Sequence, residues 1–598
     1  MLFTSLFVAS LSSCNYLDFL TLPETSEPAT SRALSVHSLF DEEGEAIASW
    51  DEGEADEAQV VFLEGKELMP LITLEGYASL YSPYMKEGYR SEFESEGSVE
   101  VWKVYKVEEE EEDKLAFATA ISFLTGEIAL GGDISSFINI PRATNTEALM
   151  FGLRVKNDIK NKEEAKNACS YRYAPKDFAY KKIAGKNYIP LGLFDSAYSS
   201  SSGVTIAYDY SGIICYTDYD QLKAEISKGD EEPSSVLARM GKWINGGTMP
   251  RYLAEFNRNC FFFVMDNFYG LADNLGVSSM RTHYLNSTYA SDFLSEDPLI
   301  RQRAYTRALN ELDDGHTGLG ESAAIWNETA EGNYPRNGKT YDRNILRETL
   351  KIQRSAAYEA KGLETSDIMY SDTGKTATFV MDAFTFAPSL DEVVSEDRTS
   401  YLDGASTKDT AIALGQALSE VANNPTAENV VIDISTNGGG TIGVLLKTLA
   451  LLSKENKAEL AFRDGAKNYC YTYESSYDWN LDGVYDEQDC FGDDLNIFIL
   501  TSPFSFSCAN AFAYASSFYG TSTTMGVRSG GGECSVASHM LPNFQKIIHS
   551  SNSHIGAYDD ENNAFFGDEF GASAQIKLDY GSFYDIEKLE LAIENSEK

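Results

Sequence analysis

The hydrophobic pattern of the C-terminal part of the chain predicts alternating β-strands and α-helices. Short apolar runs typical of buried strands alternate with longer stretches in which apolar residues recur at helical spacing. The predicted succession is strand Thr376–Met381, helix Asp409–Ala422, a strand over 430–434, helix Ile442–Lys454 and a strand over 495–500 that leads into a helix near Ser507. Such a succession is typical of an α/β core, in which helices cover a mostly parallel sheet.

The preceding residues show two other patterns. Alternating apolar runs separated by turn residues predict one or two small β-rich domains over 59–235. Helical periodicity follows over 236–365 and includes a helix with Asp297 as N-cap, Pro298 at its first position and an apolar stripe of Ile300, Ala304, Ala308 and Leu312. The predicted organisation is a signal peptide over 1–13, a tether over 14–58, β-rich domains over 59–235, a helical region over 236–365 and an α/β core over 366–598.

The N-terminal residues have the pattern of an export signal. The apolar stretch from Leu2 to Leu11 is too short to cross a bilayer. The sequence that follows, Leu11-Ser12-Ser13-Cys14, resembles the bacterial lipobox, in which the cysteine is lipidated and becomes the new N-terminus. Residues 22–58 are rich in Ser, Thr, Glu and Asp, as expected of a tether. We therefore expect a protein anchored by lipid at the bacterial cell envelope or surface.

Composition excludes some classes of partner. With 598 residues, of which 43% are hydrophobic and 12% aromatic, the chain can bury several cores. Its 48 basic and 92 acidic residues give a formal net charge of -44. Such a charge argues against nucleic acid or an anionic membrane as a partner, and leaves the N-terminal lipid as the expected membrane contact.

Three segments carry the residue types of acyl-transfer chemistry. Ser507 stands where the strand over 495–500 gives way to a helix, so the helix N-terminus lies beneath its hydroxyl. Gly438-Gly439-Gly440 follows another strand, and bare glycine N–H groups there can approach a substrate carbonyl closely. His316 lies in the glycine-flanked loop Asp314-Gly315-His316-Thr317-Gly318, after the helix capped by Asp297. Taken singly, each has a structural interpretation: an N-cap serine, a tight turn and an ordinary histidine.

In this order, the three segments resemble the tail-specific, or C-terminal processing, protease superfamily, which includes the tricorn core protease. The resemblance covers about residues 290–598 and implies a crotonase-like α/β fold related to ClpP. By matched position, it implies that Ser507 is the nucleophile and His316 the general base. The amide of Cys508 and one amide of Gly438-Gly439 match the oxyanion donors. The implied reaction passes through an acyl-enzyme and needs no cofactor.

The family activates its serine in two ways, and the sequence favours one of them. The stretch 527–533, which corresponds to the lysine segment of the Ser/Lys branch, contains no lysine. The tricorn-like branch uses a late carboxylate, for which Glu569 is the nearest match and Asp568 the alternate. The Pro-Asp of that family segment is missing here and the glycine spacing differs by one residue. Glu533 and Glu561 therefore remain alternatives for the acid.

An acidic segment in the predicted core matches a calcium-binding loop. Residues 478–489 have glycine at loop position 6 and the ligand pattern of EF-hands and dockerins, which predicts a structural calcium ion. The predicted ligands are Asp478, Asn480, Asp482, the backbone carbonyl of Val484, Asp486 and Asp489. Cys470 and Cys490 bracket the segment, and in an exported protein they can close a disulfide; two free buried cysteines are the alternative.

Two functions follow from these observations. The leading one is a lipid-anchored serine endopeptidase that hydrolyses extended or unfolded polypeptides outside the cytoplasm. The alternative is a catalytically silent relative that binds peptides or other ligands, because the segment of the acid is irregular.

Overall fold

A computed structural model describes most of the chain. It covers residues 25–38, 56–85, 87–96, 98–107, 113–123, 125–132, 152–160, 169–173, 177–178, 180–202, 204–209, 212–216, 249–320, 338–386, 409–465 and 469–596. The predicted signal peptide and the lipidation site Cys14 lie outside the described residues. Among the helices that the structure describes, none is long and apolar enough to cross a membrane.

The first part of the described chain is built mainly from two β-sheets. Its elements are β1 (Ala29–Ser38), β2 (Asp56–Leu63), β3 (Leu71–Ile72), α1 (Leu74–Tyr81), β4 (Tyr89–Glu96), β5 (Val99–Lys106), β6 (Lys114–Ser122), β7 (Glu127–Gly132), β8 (Leu153–Ile159), β9 (Cys169–Arg172), β10 (Lys181–Ile183), β11 (Lys186–Pro190), α2 (Leu191–Ser202), β12 (Thr205–Tyr208) and β13 (Ile213–Tyr216). One sheet has the strand order β10, β11, β3, β2, β1, β13, β12, and the other has β4, β5, β6, β7, β9. Buried aromatic side chains such as Tyr77, Trp102 and Tyr198 form the core between them.

Two strands pair across domain boundaries predicted from the sequence. Strand β1 lies inside the predicted tether, yet it pairs with β2 on one side and with β13 on the other. The polar composition of β1 did not predict a strand, because only alternate residues such as Leu34 and Val36 are buried. Strand β8 lies inside the predicted β-rich region but pairs with a later strand, Tyr469–Tyr477, by a long-range contact that local periodicity cannot reveal.

A helical part follows, with α3 (Arg251–Phe268), α4 (Met280–Leu285), α5 (Pro298–Asn310), the short strand β14 (Gly318–Leu319) and α6 (Lys339–Ala360). The predicted cap of α5 is confirmed, since the Asp297 carboxylate accepts the Leu299 N–H at 2.9 Å. The predicted stripe is correct for Ala304 and Ala308, but Ile300 is 45% exposed. The buried face of α5 includes Tyr305 and Leu309 instead.

The C-terminal part contains the predicted alternation of strands and helices. Its elements are β15 (Met369–Tyr370), β16 (Thr376–Val380), α7 (Thr410–Ala422), β17 (Asn429–Asp433), α8 (Ile442–Leu451), β18 (Ala458–Asp464), β19 (Tyr469–Tyr477), β20 (Asn496–Thr501), α9 (Cys508–Phe518), β21 (Thr523–Gly526), β22 (Cys534–Met540), β23 (Lys546–Asp559), β24 (Ala564–Gly567), β25 (Ile576–Lys577) and α10 (Ile586–Ser596). A six-stranded sheet has the order β15, β16, β17, β20, β21, β25, and its last five strands are parallel. The chain is therefore a mixed α/β protein with several β-sheets.

Two features of this arrangement position the candidate site. The loops after β17 and β20 leave the same edge of the parallel sheet, because neighbouring parallel strands end on the same side. A fourth sheet runs β14, β23, β18, β19, β8, with β22 and β24 also paired to β23. In that sheet, Gly318 of β14 lies opposite Ile548 of β23, which fixes the end of the His316 loop.

Candidate active site

Ser507 occupies a strained turn between β20 and α9. Its backbone has φ 56° and ψ -127°, a conformation that residues other than glycine rarely adopt. Ser507 is the N-cap residue of α9, but its side chain makes no helix-capping hydrogen bond, so capping does not account for a serine at this position. The Ser507 N–H donates to the Gly531 carbonyl at 2.9 Å, and the Ser505 hydroxyl donates to the Ile434 carbonyl at 2.8 Å. These contacts hold the turn in its strained geometry.

The glycine loop after β17 lies directly against this turn. A Cβ atom on Gly439 would lie 2.7 Å from Ser507 Cβ and 3.0 Å from the Cys508 nitrogen, so only glycine fits there. The Gly439 N–H donates to Asn437 Oδ1 at 2.8 Å and is already paired. By contrast, the N–H groups of Gly438 and Cys508 have no hydrogen-bond partner among the described residues. Of the two glycine amides predicted as oxyanion donors, the available one is therefore that of Gly438.

Asn437, to which the sequence analysis assigned no role, positions the glycine loop. Besides accepting the Gly439 N–H, its side chain donates to the Met381 carbonyl at 2.8 Å. It is fully buried and so ties the glycine loop to the end of β16. The sequence feature that could have predicted this role is an asparagine directly before three glycines. An asparagine side chain can accept a backbone N–H two residues further on.

His316 lies beside the turn that carries Ser507. Its ring packs on Phe506, with the ring centroids 4.7 Å apart. The loop is fixed by the His316 N–H, which donates to Asp314 Oδ1 at 2.9 Å, and by the Ser550 N–H, which donates to Thr317 Oγ1 at 3.2 Å. Both ring nitrogens of His316 are buried, and neither has a hydrogen-bond partner among the described residues. The imidazole is therefore held against Phe506, the residue before Ser507, and its ring nitrogens are free to accept a proton.

The charge state of His316 suits a general base. Burial lowers its pKa, the positive charge of Arg343 lowers it further, and the negative charge of Asp314 acts in the opposite direction. A lowered pKa keeps the imidazole neutral at neutral pH, and a base must be neutral to accept a proton.

The two candidate acids are near the site, but neither contacts the His316 ring. Glu569 Oε2 accepts the Glu533 N–H at 3.0 Å, and Glu533 Oε2 accepts the Glu569 N–H at 3.1 Å. Burial raises the pKa of Glu569 to about 7, with Asp314 adding to the effect and Arg343 opposing it. Burial also raises the pKa of Asp568 to about 7, and the principal charge opposing that rise is Arg528. Glu569 thus shares Arg343 and Asp314 as neighbours with His316, whereas Asp568 does not.

Helix α6 brings cations to the site that the sequence analysis did not assign. The Arg343 guanidinium lies 4.9 Å from the Phe506 ring centroid, and that of Arg347 lies 4.9 Å from the Phe504 ring centroid. Farther along, the buried Arg354 donates to Asp382 at 2.6 Å and to Thr436 at 2.8 Å, which anchors α6 at the sheet edge. The helical spacing of these arginines was the sequence feature from which a shared face could have been predicted.

The predicted disulfide between Cys470 and Cys490 is wrong, because both residues are free cysteines. Cys470 lies opposite Arg463 at one end of β19. Cys490 accepts the N–H of Asn456, which also binds Tyr477 at the other end of β19. The strand between these two ends is about 20 Å long, far beyond the Cα separation that a disulfide permits.

One comparison with known proteins covers part of this site. The model of Peptidase family S41 matches residues 398–562, which include the glycine loop and Ser507 but neither His316 nor Glu569. No curated protein matches the chain.

Solved structures give weaker similarities. The photosystem II D1 C-terminal processing protease is 14% identical, with 36% of this chain and 45% of that chain covered and a TM-score of 0.25. A lipoprotein from Streptococcus agalactiae is 11% identical, with coverage of 58% and 98% and a TM-score of 0.33. The tricorn protease is 10% identical, with coverage of 96% and 59% and a TM-score of 0.23. These scores are too low to establish a common fold, so the comparison rests on residues 398–562, which match the model of Peptidase family S41, a family of serine peptidases.

Proposed function

We propose that the protein is an exported, lipid-anchored serine endopeptidase that hydrolyses extended or unfolded polypeptides. The observation that carries the proposal is the strained Ser507 turn, which faces a glycine loop with unpaired N–H groups and lies beside a neutral histidine. The S41 family match over the same residues supports it. We further propose that the parallel sheet with its helices is the crotonase-like core of this family.

The proposed reaction uses the chain's own groups at each step. His316 accepts the Ser507 proton as the serine oxygen attacks the peptide carbonyl. The N–H groups of Gly438 and Cys508 donate hydrogen bonds to the resulting oxyanion. The imidazolium returns its proton to the leaving amine, which breaks the peptide bond and leaves an ester on Ser507. His316 then takes a proton from a water molecule that attacks the ester, and the imidazolium gives this proton to the departing serine oxygen, which releases the acid product and regenerates Ser507.

Catalysis requires a hydrogen bond between His316 and Ser507 that forms with bound substrate. In the structure, both ring nitrogens of His316 are free and the ring rests on Phe506. Such contacts are often loose in the absence of substrate and tighten in the complex. The mechanism therefore requires the His316 ring to reach the Ser507 hydroxyl in the substrate complex.

Replacing Arg343 is expected to change the pH dependence of the reaction. Because the Arg343 cation lowers the pKa of His316, Arg343→Gln raises that pKa and leaves more of the base protonated under acidic conditions. The acidic limb of the kcat/KM profile should therefore move to higher pH. Arg347→Gln is the matched control, since Arg347 lies one helical turn away, over Phe504, and is not among the charges acting on His316. An acidic limb that stays in place in Arg343→Gln, or shifts equally in both variants, contradicts the proposed base.

We propose Glu569 as the carboxylate that orients His316, and expect Glu569→Gln to reduce turnover more than Asp568→Asn. The amide oxygen of glutamine can still accept the Glu533 N–H, so the substitution removes the charge and keeps the backbone contact. Loss of an orienting carboxylate costs on the order of a thousandfold or more in rate. Initial rates on fluorescent casein measure both variants, and equal, small losses would assign the role to another carboxylate such as Glu533 or Glu561.

One observation favours the alternative function, a silent peptide-binding relative. Glu569 Oε2 accepts a hydrogen bond from the Glu533 N–H. No carboxylate of the described residues forms a hydrogen bond with the His316 ring. Hydrolysis of casein by the purified protein distinguishes the two functions. An enzyme is expected to cleave casein, and His316→Gln is expected to abolish this activity. A binding protein would leave casein uncleaved.

The lipid anchor is proposed from the sequence of residues 1–14. Signal removal should leave Cys14 as a diacylglycerol-modified N-terminus. Mass spectrometry of the N-terminal peptide from the native host measures this modification. An unmodified Cys14, or a chain that retains Met1 to Ser13, would contradict the anchor.

A further inference from the structure

The segment 478–489, which connects β19 to β20, is clamped at both ends by one buried side chain. Asn456 Oδ1 accepts the Tyr477 N–H at 2.9 Å, directly before Asp478. Asn456 Nδ2 donates to the Tyr477 carbonyl at 3.1 Å and to Asp489 Oδ2 at 3.4 Å. This clamp brings the first and last carboxylates of the segment to the same side of the loop.

The backbone of the segment curls around its first carboxylate. Asp478 accepts the N–H groups of Asp482 at 3.1 Å and Gly483 at 2.9 Å, one at each carboxylate oxygen. Asn480 Oδ1 also accepts the Asp482 N–H, at 2.9 Å. Asp482 Oδ1 in turn accepts the Val484 N–H at 2.7 Å. Side-chain oxygens from the first, third and fifth positions of the loop are thereby gathered around a single turn.

Asp489, at the twelfth position, is an independent sign of a cation. Its side chain is fully buried, and its Oδ1 has no hydrogen-bond partner among the described residues. Its other oxygen, Oδ2, accepts the Asp486 N–H at 3.2 Å and the Asn456 side-chain N–H at 3.4 Å. A buried carboxylate oxygen without a donor is costly unless a cation neutralises it.

We propose that this loop binds one calcium ion, a site separate from the peptidase centre. The ligands are the side chains of Asp478, Asn480, Asp482 and Asp489, the carbonyl of Val484, and Asp486 through a water molecule. Oxygen donors of mixed type suit calcium, whereas magnesium demands a tighter octahedron and retains its waters. Among the described residues, no three His, Cys, Asp or Glu side chains are already grouped for metal binding. Calcium is therefore expected to draw the carboxylates of the loop together.

The position of the loop gives the ion a structural role. Trp479 packs so closely on α7 that a Cβ atom on Gly415 would lie 2.8 Å from the indole. The indole N–H donates to the Gln488 carbonyl at 3.2 Å, across the loop. From Cys490 the chain continues into β20, which leads to Ser507. A bound ion would thus stabilise the core that carries the nucleophile without contributing an atom to the reaction.

Calorimetric titration of the chelator-treated protein with calcium chloride tests the proposal. We expect one ion per chain, a Kd between micromolar and millimolar, and a Tm that rises with calcium. Asp482→Asn should weaken binding at least about tenfold, because it removes a charged ligand. This side chain is exposed, so its replacement leaves folding intact. Asp489→Asn, which removes the buried ligand, should abolish the calcium-dependent rise in Tm.

Asp493→Asn is the matched control. It removes one acidic charge just beyond the loop, where Asp493 is exposed and pairs with Lys454 on the surface. Calcium binding by this variant should equal that of the wild type. The proposal is overturned if the wild type binds no calcium up to about 5 mM, above the range of weak extracellular sites. Equal weakening by Asp482→Asn and Asp493→Asn, or equal stabilisation by magnesium, would also overturn it.

Discussion

Ser507→Ala is expected to reduce hydrolysis of fluorescent casein to the background rate while leaving the Tm unchanged. The hydroxyl makes no helix-capping hydrogen bond, so its removal costs the fold little. It is, however, the atom that forms the acyl-enzyme, and loss of a nucleophile lowers turnover on the order of a millionfold in well-studied serine proteases. His316→Ala should be equally inactive, and the double variant no worse, because members of one catalytic unit fail together.

Cys508→Ser is the control for the Ser507 variant. The Cys508 thiol donates to the Gly440 carbonyl at 3.1 Å, a contact that a hydroxyl can replace. The proposed oxyanion donor is the amide of Cys508, which the substitution retains. Turnover should therefore stay within a few-fold of the wild type. A loss as deep as that of Ser507→Ala would assign the chemistry to the thiol, and normal turnover by Ser507→Ala would exclude Ser507 as the nucleophile.

Gly439→Ala is expected to have the second largest effect, a loss of nearly all turnover. The added Cβ would lie 2.7 Å from Ser507 Cβ and 2.9 Å from the Phe506 carbonyl oxygen, so the turn or the glycine loop must shift. The φ of Gly439 is 106°, which an alanine adopts only with strain. Displacement of about 1 Å at a catalytic group costs on the order of a hundredfold in rate. Initial rates on casein, measured together with Tm, separate this effect from unfolding.

Gly520→Ala provides the matched control for backbone strain. Gly520 also has a positive φ, 73°, but a Cβ there meets no atom within 4 Å. It follows α9 on the side away from Ser507, so it tests the cost of alanine in a left-handed conformation without crowding the site. We expect a lower Tm with near-normal turnover. Normal turnover by Gly439→Ala would show that the glycine loop does not contact the reacting groups.

The parts of the site that were predictable are those carried by short contiguous motifs. The β20 to α9 junction places Ser507 on a turn because an apolar strand run meets a helical run there. Glycines before α8 predicted an N–H-rich loop, and the cap at Asp297 predicted the start of α5. Each of these features depends on residues within a few positions of one another. Local sequence therefore specified them.

The parts that were missed depend on long-range contacts. Strand β8 joins β19 although more than 300 residues separate them, and β1 is stabilised by partners on both sides that outweigh its polar composition. Arg343 acts on His316 only because α6 folds back over Phe506. The reciprocal bonds of Glu533 and Glu569 likewise connect residues from separate segments. Periodicity reports which face of an element is buried, but not what covers it.

Labelling of the purified protein with a fluorophosphonate tests the central claim most directly. This probe forms a covalent bond only with a serine activated by a base and an oxyanion hole. Peptide mass spectrometry should locate a single adduct on Ser507, and Ser507→Ala and His316→Ala should remain unlabelled. Absence of an adduct from the folded wild type, or an adduct on another residue that persists in Ser507→Ala, would contradict the assignment of Ser507 as the nucleophile.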